Sequence, residues 1–194
     1  MNSSPIILQI PPSLKMNDEQ FFEFCQINRD YRIERDKSGE ISIMAPTGGT
    51  TGNRNGNIFG EVYIWSKQDG AGICFDSSTG FKLSTGADRS PDISWIRLDR
   101  WNGLLQEEQD KFAPICPDFV IELMSPSDSL KPLQEKMEEY MQEPGVRLGW
   151  LIDRKNRCVY VYRPGKDLER LDNPSTMSGE EVLPGFVLDM GKVW

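Results

Sequence analysis

Residues 117–125, PDFVIELMS, set the first constraint on this chain. A short apolar run bounded by proline and serine reads as a strand buried on both faces. Such a strand needs covering layers, and the next segment supplies one. In SLKPLQEKMEEYMQ, Leu130, Leu133, Met137, Tyr140 and Met141 fall on one stripe of a helix. Pro132 fits only in the first turn, which puts the cap at Asp128 or Ser129, and Gly145 ends the helix. VRLGWLID and RCVYVYRPG then read as two more strands joined by RKN.

The upstream chain gives further elements. Residues 17–28 read as a helix, with Asn17 and Gln20 at capping-box spacing and Phe21, Phe22, Phe24 and Ile27 as apolar positions. YRIERDKSGEISIM alternates around Ser38-Gly39, the pattern of a β-hairpin. GGTTGNRNG reads as a flexible loop and lacks the ending of a phosphate loop, although Asn53, Arg54 and Asn57 at the start of the following helix could touch a phosphate. That helix carries Ile58, Val62 and Trp65 on one face. GICFDSSTGFKLS reads as a strand pair or bulged strand, and RSPDISWIRLDRW as a strand leading into a helix from about 99 to 110. The sum is an α/β or α+β chain with a mixed sheet flanked by helices. We expect a single domain over 1–194, with 1–47 an N-terminal helix and hairpin elaboration on a core of 48–194.

Composition removes several kinds of chemistry. With 0 histidines, histidine-based triads, zincins and histidine-dependent nucleases are excluded, so acid–base work falls to carboxylates, lysine, tyrosine or metal-bound water. Cys25, Cys74, Cys116 and Cys158 are scattered, with no paired zinc-ribbon spacing, and read as reduced thiols. The formal charge is −8, from 22 basic and 30 acidic residues, so nucleic-acid binding needs a local basic surface. No run spans a membrane and MNSSPIILQIPPSLK lacks a signal-peptide pattern, so the cytoplasm is expected.

Two acids stand out. Glu122 lies inside the apolar run, where a carboxylate is costly unless paired or coordinated. Asp92, in PDISWI, can come beside it on a neighbouring strand. Two such carboxylates make a site for Mg²⁺, or Mn²⁺, which needs no histidine. A cation is still required near the nucleophile, and Met124 stands two places after Glu122. Lys136 lies about 90° from the centre of the helix stripe, taking about 100° per residue, and can run its stem inward along the apolar edge. Lys82 is a second candidate, and Gln134 flanks the other edge of the stripe.

SPDISWI, PDFVIELMSPSDSL, KMEEYMQEPGVRLGWLID and VYVYRPG together resemble the putative restriction endonuclease family of bacterial proteins, within the restriction-endonuclease-like superfamily with PD…(D/E)xK sites. The resemblance implies a mixed sheet of four or five strands flanked by helices, metal-dependent phosphodiester hydrolysis, DNA as partner and action as a homodimer. By position, Asp92 matches the PD aspartate and Glu122 the acid of the second motif. Met124 replaces the motif lysine, and superfamily members that supply it from the following helix point to Lys136. Members often carry a histidine after the glycine-rich loop, where this chain has residues 53–57, NRNGN. A retained fold without catalysis, serving binding or assembly, is the competing expectation.

Overall fold

The computed structural model describes residues 5–194. In chain order the elements are β1 (Ile6–Leu8), α1 (Asp18–Ile27), β2 (Arg32–Arg35), β3 (Ile41–Met44), α2 (Gly49–Asp69), β4 (Gly72–Asp76), β5 (Phe81–Lys82), β6 (Asp88–Arg89), β7 (Ile93–Arg97), α3 (Leu98–Asn102) and α4 (Gln106–Gln109). They continue with β8 (Phe119–Leu123), α5 (Leu130–Met141), β9 (Leu148–Asp153), β10 (Cys158–Tyr162), β11 (Glu169–Asp172), β12 (Thr176–Ser178) and β13 (Val187–Asp189).

The apolar run of β8 is dry on both faces because it lies inside a sheet of order β11-β10-β9-β8-β7-β4. β8 and β9 are parallel and the other neighbours antiparallel. A parallel pair needs a crossover, and α5 provides it. Side chains alternate across the pleat. Phe119 and Ile121 face Ile58 and Val62 of α2 together with the C-terminal segments, while Val120 faces Met137 and Tyr140 of α5. Fully burying Ile121 contributes roughly 2 kcal/mol. α5 packs so closely that a Cβ on Gly149 of β9 would meet the Met137 methyl at 2.5 Å. Glu122 shares the α5 face with Val120, so the helix necessarily lies over the acid.

A second, antiparallel sheet has the order β1-β3-β2-β6-β5. On β2, Ile33 packs with Phe21 and Ile41. Arg32 and Glu34 point the other way, toward the end of the large sheet. β12 and β13 form a separate hairpin.

Several expected boundaries move. α1 starts as expected, with a complete Asn17–Gln20 capping box. The glycine-rich stretch is not a loop: it forms the first turns of α2, anchored by buried Thr51 and Ile58. GICFDSSTGFKLS is neither a strand pair nor a bulged strand. β4 and β5 belong to different sheets, separated by a turn in which Asp76 accepts from Ser78 N–H. The expected helix over 99–110 is two short ones, broken where Gly103 N–H closes back on Asp99 and Arg100 carbonyls. Ser129 is the N-cap residue of α5 without a side-chain cap bond, and Asp128 instead accepts from Ser125 N–H at 2.7 Å. All four cysteines are free thiols. Among the described residues no helix is long and apolar enough to cross a membrane.

Candidate active site

The antiparallel register of β7 and β8 pairs Ile93 with Ile121. One step further, Asp92 falls across from Glu122. Asp92 Oδ2 accepts the Leu123 N–H at 2.8 Å, and its Oδ1 accepts from Arg32 Nη1 at 2.7 Å. Arg32 is held in turn by the Ser90 carbonyl. Thus β2, β7 and β8 meet at one acid.

Glu122 is almost fully buried, at 2% exposure. The burial is tolerable because α5 lays polar groups against it. Lys136 Nζ sits 2.8 Å from Glu122 Oε1, and the Tyr140 hydroxyl, one turn on, donates to the same oxygen at 3.1 Å. The Lys136 amine also donates to Glu34 Oε1 at 2.8 Å. Glu34 Oε1 accepts the Ser90 N–H at 3.0 Å, and its Oε2 lies 3.4 Å from Arg89 Nη1. Arg89 Nε binds Glu139 Oε2 at 2.6 Å. One lysine therefore bridges two acids drawn from different sheets.

The two acids respond differently to the shared amine. Burial would raise the Glu34 pKa, but Lys136, Arg32 and Arg89 surround it and hold it down at about 2. Burial also raises Glu122, the Lys136 amine offsets only part of that, and the nearby Asp92 charge adds to the rise, so Glu122 is pushed up to about 7. The Tyr140 hydroxyl is raised well above its ordinary range by burial and by Glu122.

Arg32, Glu34, Arg89, Asp92, Glu122 and Lys136 all line one open cleft. The donor set suits a hard divalent cation. Magnesium takes one or two carboxylates and keeps several waters. Four acids (Glu34, Asp92, Glu122, Glu139) face three cations (Arg32, Arg89, Lys136), leaving one surplus negative charge when Glu122 is ionised. The hydrogen bond from Tyr140 and the ion pair with Lys136 both land on Glu122 Oε1. Among the described residues no group of three or more histidine, cysteine or acidic side chains is placed to hold a metal ion, so any ion would rest on two carboxylates and water.

The structure brings Asp92, Glu122 and Lys136 together as expected from the sequence. Met124 faces the apolar layer under α5 and gives its N–H to the Ile152 carbonyl. The other candidates do not touch the acid cluster. Lys82 binds Asp18 and the Gly86 carbonyl, because β5 belongs to the second sheet. Gln134 points toward Tyr162. Asn53 and Asn57 bond each other along α2 at 3.5 Å, and Arg54 donates to the Trp194 carbonyl at 2.9 Å. Arg32, Glu34, Arg89, Glu139 and Tyr140 escape a sequence reading, since nothing local in RIER or EEY shows that these side chains converge.

Comparison with known proteins agrees with this architecture. The Uma2 family model, described as "Putative restriction endonuclease", matches residues 18–191. A crystal structure of a putative nuclease belonging to DUF820 from Anabaena variabilis is similar in fold, with a TM-score of 0.70 at 22% identity over 83% of this chain and 88% of that one. No curated protein matches the chain. With the family model spanning nearly its whole length, the chain belongs to the Uma2 family of putative restriction endonucleases.

Proposed function

We propose that the chain is a metal-dependent endonuclease that hydrolyses phosphodiester bonds in DNA. One observation carries the reading: the Lys136 amine stands 2.8 Å from Glu122 Oε1, although Met124 occupies the ordinary lysine position. Asp92 and Glu122 would hold Mg²⁺ or Mn²⁺. When bound, such an ion polarises the phosphoryl group and acidifies a water. The chain's own residues set the geometry. Lys136 orients the attacking water, and Glu34 keeps its amine from swinging into solvent. Tyr140 fixes the Glu122 carboxylate. Arg32, beside Asp92 on the cleft wall, faces the charge that grows on the phosphoryl oxygens. Hydrolysis adds the water oxygen to phosphorus and breaks one P–O ester bond. Two copies about a two-fold axis suit the two strands of a duplex, and the cytoplasm suits such a role.

A second reading has an observation of its own. Each acid already carries a protein cation, Arg32 on Asp92 and Lys136 on both glutamates. Such internal neutralisation suits a silent binding or assembly module. Calorimetric titration of Mg²⁺ and Mn²⁺ into the wild type and Glu122→Ala, followed by supercoiled-plasmid nicking, separates the two. Binding and nicking that vanish in the variant support the enzyme. A wild type that binds neither ion leaves the silent module.

A further inference from the structure

The chain is acidic overall, with 22 basic and 30 acidic residues, so a polyanion reaching the cleft needs a local positive surface. Such a surface stands where the large sheet ends. β8 and β9 run parallel, with Glu122 beside Leu151 and Leu123 beside Ile152. The turn after β9 therefore emerges at the same end of the sheet as Glu122. That turn carries Arg154, Lys155 and Arg157.

α2 adds a fourth cation. Arg154 Nη2 donates to Thr51 Oγ1 at 2.9 Å, and Thr51 lines the cleft. Arg54 lies one turn along α2 from Thr51, on the same side. Burial and the neighbouring Arg54 charge both weaken the hold of Arg154 on its proton. Arg154 Nε is buried without an acceptor. Arg100, Arg147, Arg163 and Arg170 all pair with acids. Among the described residues no Asp or Glu side chain forms an ion pair with Arg54, Arg154, Lys155 or Arg157. Asp153, at the start of the turn, is 2% exposed and spends its oxygens on Asn156. Four cations thus gather beside the cleft with no acidic side chain paired to them, Arg54 being held by the Trp194 main-chain oxygen at 2.9 Å. The start of α2 adds to the field, since its Gly48 N-cap offers no side-chain acceptor.

We propose that Arg54, Arg154, Lys155 and Arg157 form a docking site for the backbone phosphates of a nucleic acid, flanking the acid cluster. The identity of the polymer rests on the nuclease reading, whereas the demand for an anion does not. Binding through this site is driven by charge and indifferent to base sequence.

The test is fluorescence anisotropy of a short labelled DNA duplex in EDTA, over a salt series. Two variants are compared with the wild type: Arg54→Gln/Arg154→Gln and Lys155→Gln/Arg157→Gln. The second pair is exposed, so its loss leaves the packing intact. Each pair is expected to weaken binding roughly tenfold or more at low salt and to flatten the log–log salt slope by about 2. Unchanged affinity and slope in both variants overturn the site, as does a wild type that binds no duplex. A thermal shift with inorganic pyrophosphate but no duplex binding marks a small-anion site and overturns the backbone assignment. Plasmid nicking by the wild type is scored separately. Nicking with unaltered binding in the variants removes the phosphate site and keeps the nuclease reading. Duplex binding that needs the four cations, without nicking in Mg²⁺ or Mn²⁺, does the reverse.

Discussion

The chain contains two Pro-Asp pairs close to its central strands, and they end up at opposite ends of the β7–β8 ladder. Asp92 sits where β7 begins and Asp118 just before β8. Their local bonding is nearly the same. Asp92 Oδ2 accepts the Leu123 N–H at 2.8 Å, and Asp118 Oδ2 accepts the Arg97 N–H at 3.0 Å. Each binds one arginine at 2.7 Å, Arg32 for Asp92 and Arg100 for Asp118. What differs is the next layer. Arg100 also reaches the carbonyls of Cys116 and Gly145, and the Asp118 side chain is 1% exposed. That end is closed. The Asp92 side chain is 15% exposed, opens on the cleft and shares it with Glu122, Glu34 and Lys136. A carboxylate in a strand-end clasp is therefore not yet a site. It becomes one where the surrounding charges remain unbalanced and a substrate can enter.

The largest effect should separate the two ends by activity. On the nuclease reading, Asp92→Asn and Glu122→Gln are each expected to lower plasmid nicking by about 10³-fold or more, since several kcal/mol of charge stabilisation would go with a carboxylate that holds the metal. Asp118→Asn should nick at the wild-type rate. Equal loss in a folded Asp118→Asn protein would erase the distinction between the two ends.

Stability should sort them in the opposite order. Asp118→Ala strands the Arg100 guanidinium in a largely closed setting and should cost about 3 kcal/mol, the low end for breaking a buried pair because Arg100 keeps 23% exposure. Asp92→Ala should cost about half as much, since Arg32 can turn to the cleft. Urea unfolding of both proteins gives the comparison directly. A larger loss for Asp92→Ala would mean that the cleft end is the structural clasp.

The lysine offers a finer test. Lys136→Met should cut nicking by about 10²-fold, the scale of one positioned proton-handling group. Adding Met124→Lys to that variant places an amine on the Glu122 face of β8 and should recover part of the rate. No recovery, together with an unaltered rate in Lys136→Met, would remove the relocated lysine from the mechanism.

Much of this cleft is legible along the chain, and the reasons are local. Glu122 interrupts an apolar run, Asp92 follows a proline before another, and Lys136 sits at the margin of a helical stripe. Glu34 has no such signal. In YRIERDKSG it alternates with Ile33 as an outward polar residue would, yet it is 4% exposed. Its partner Lys136 is 102 positions away, and only the meeting of two sheets brings the pair together. The same limit hides the separation of β4 from β5, because a turn and a change of sheet look alike over a few residues. The glycine-rich start of α2 misleads for a different reason: its helicity comes from burial of Thr51 and Ile58 against the sheet, which outweighs the poor propensity of glycine.

Glu34 also supplies the smallest and most selective prediction. Its carboxyl is held at about 2 in the folded chain, against an ordinary value of 4.5. The unfolded chain therefore binds the proton first as pH falls, and unfolding gains from acid. The stability that Glu34 contributes is complete above about pH 4.5 and drains away as the pH falls toward about 2. Urea midpoints measured from neutral to acid pH should fall over that window. In Glu34→Gln the midpoint should be lower at neutral pH, where the Lys136, Arg89 and Arg32 charges lose their partner, but its decline in acid should be shallower. Parallel acid limbs in the two proteins would mean that Lys136 is neutralised by Glu122 alone. Glu34 would then line the cleft without fixing the amine, and the lysine bridge between the two sheets would carry no energy.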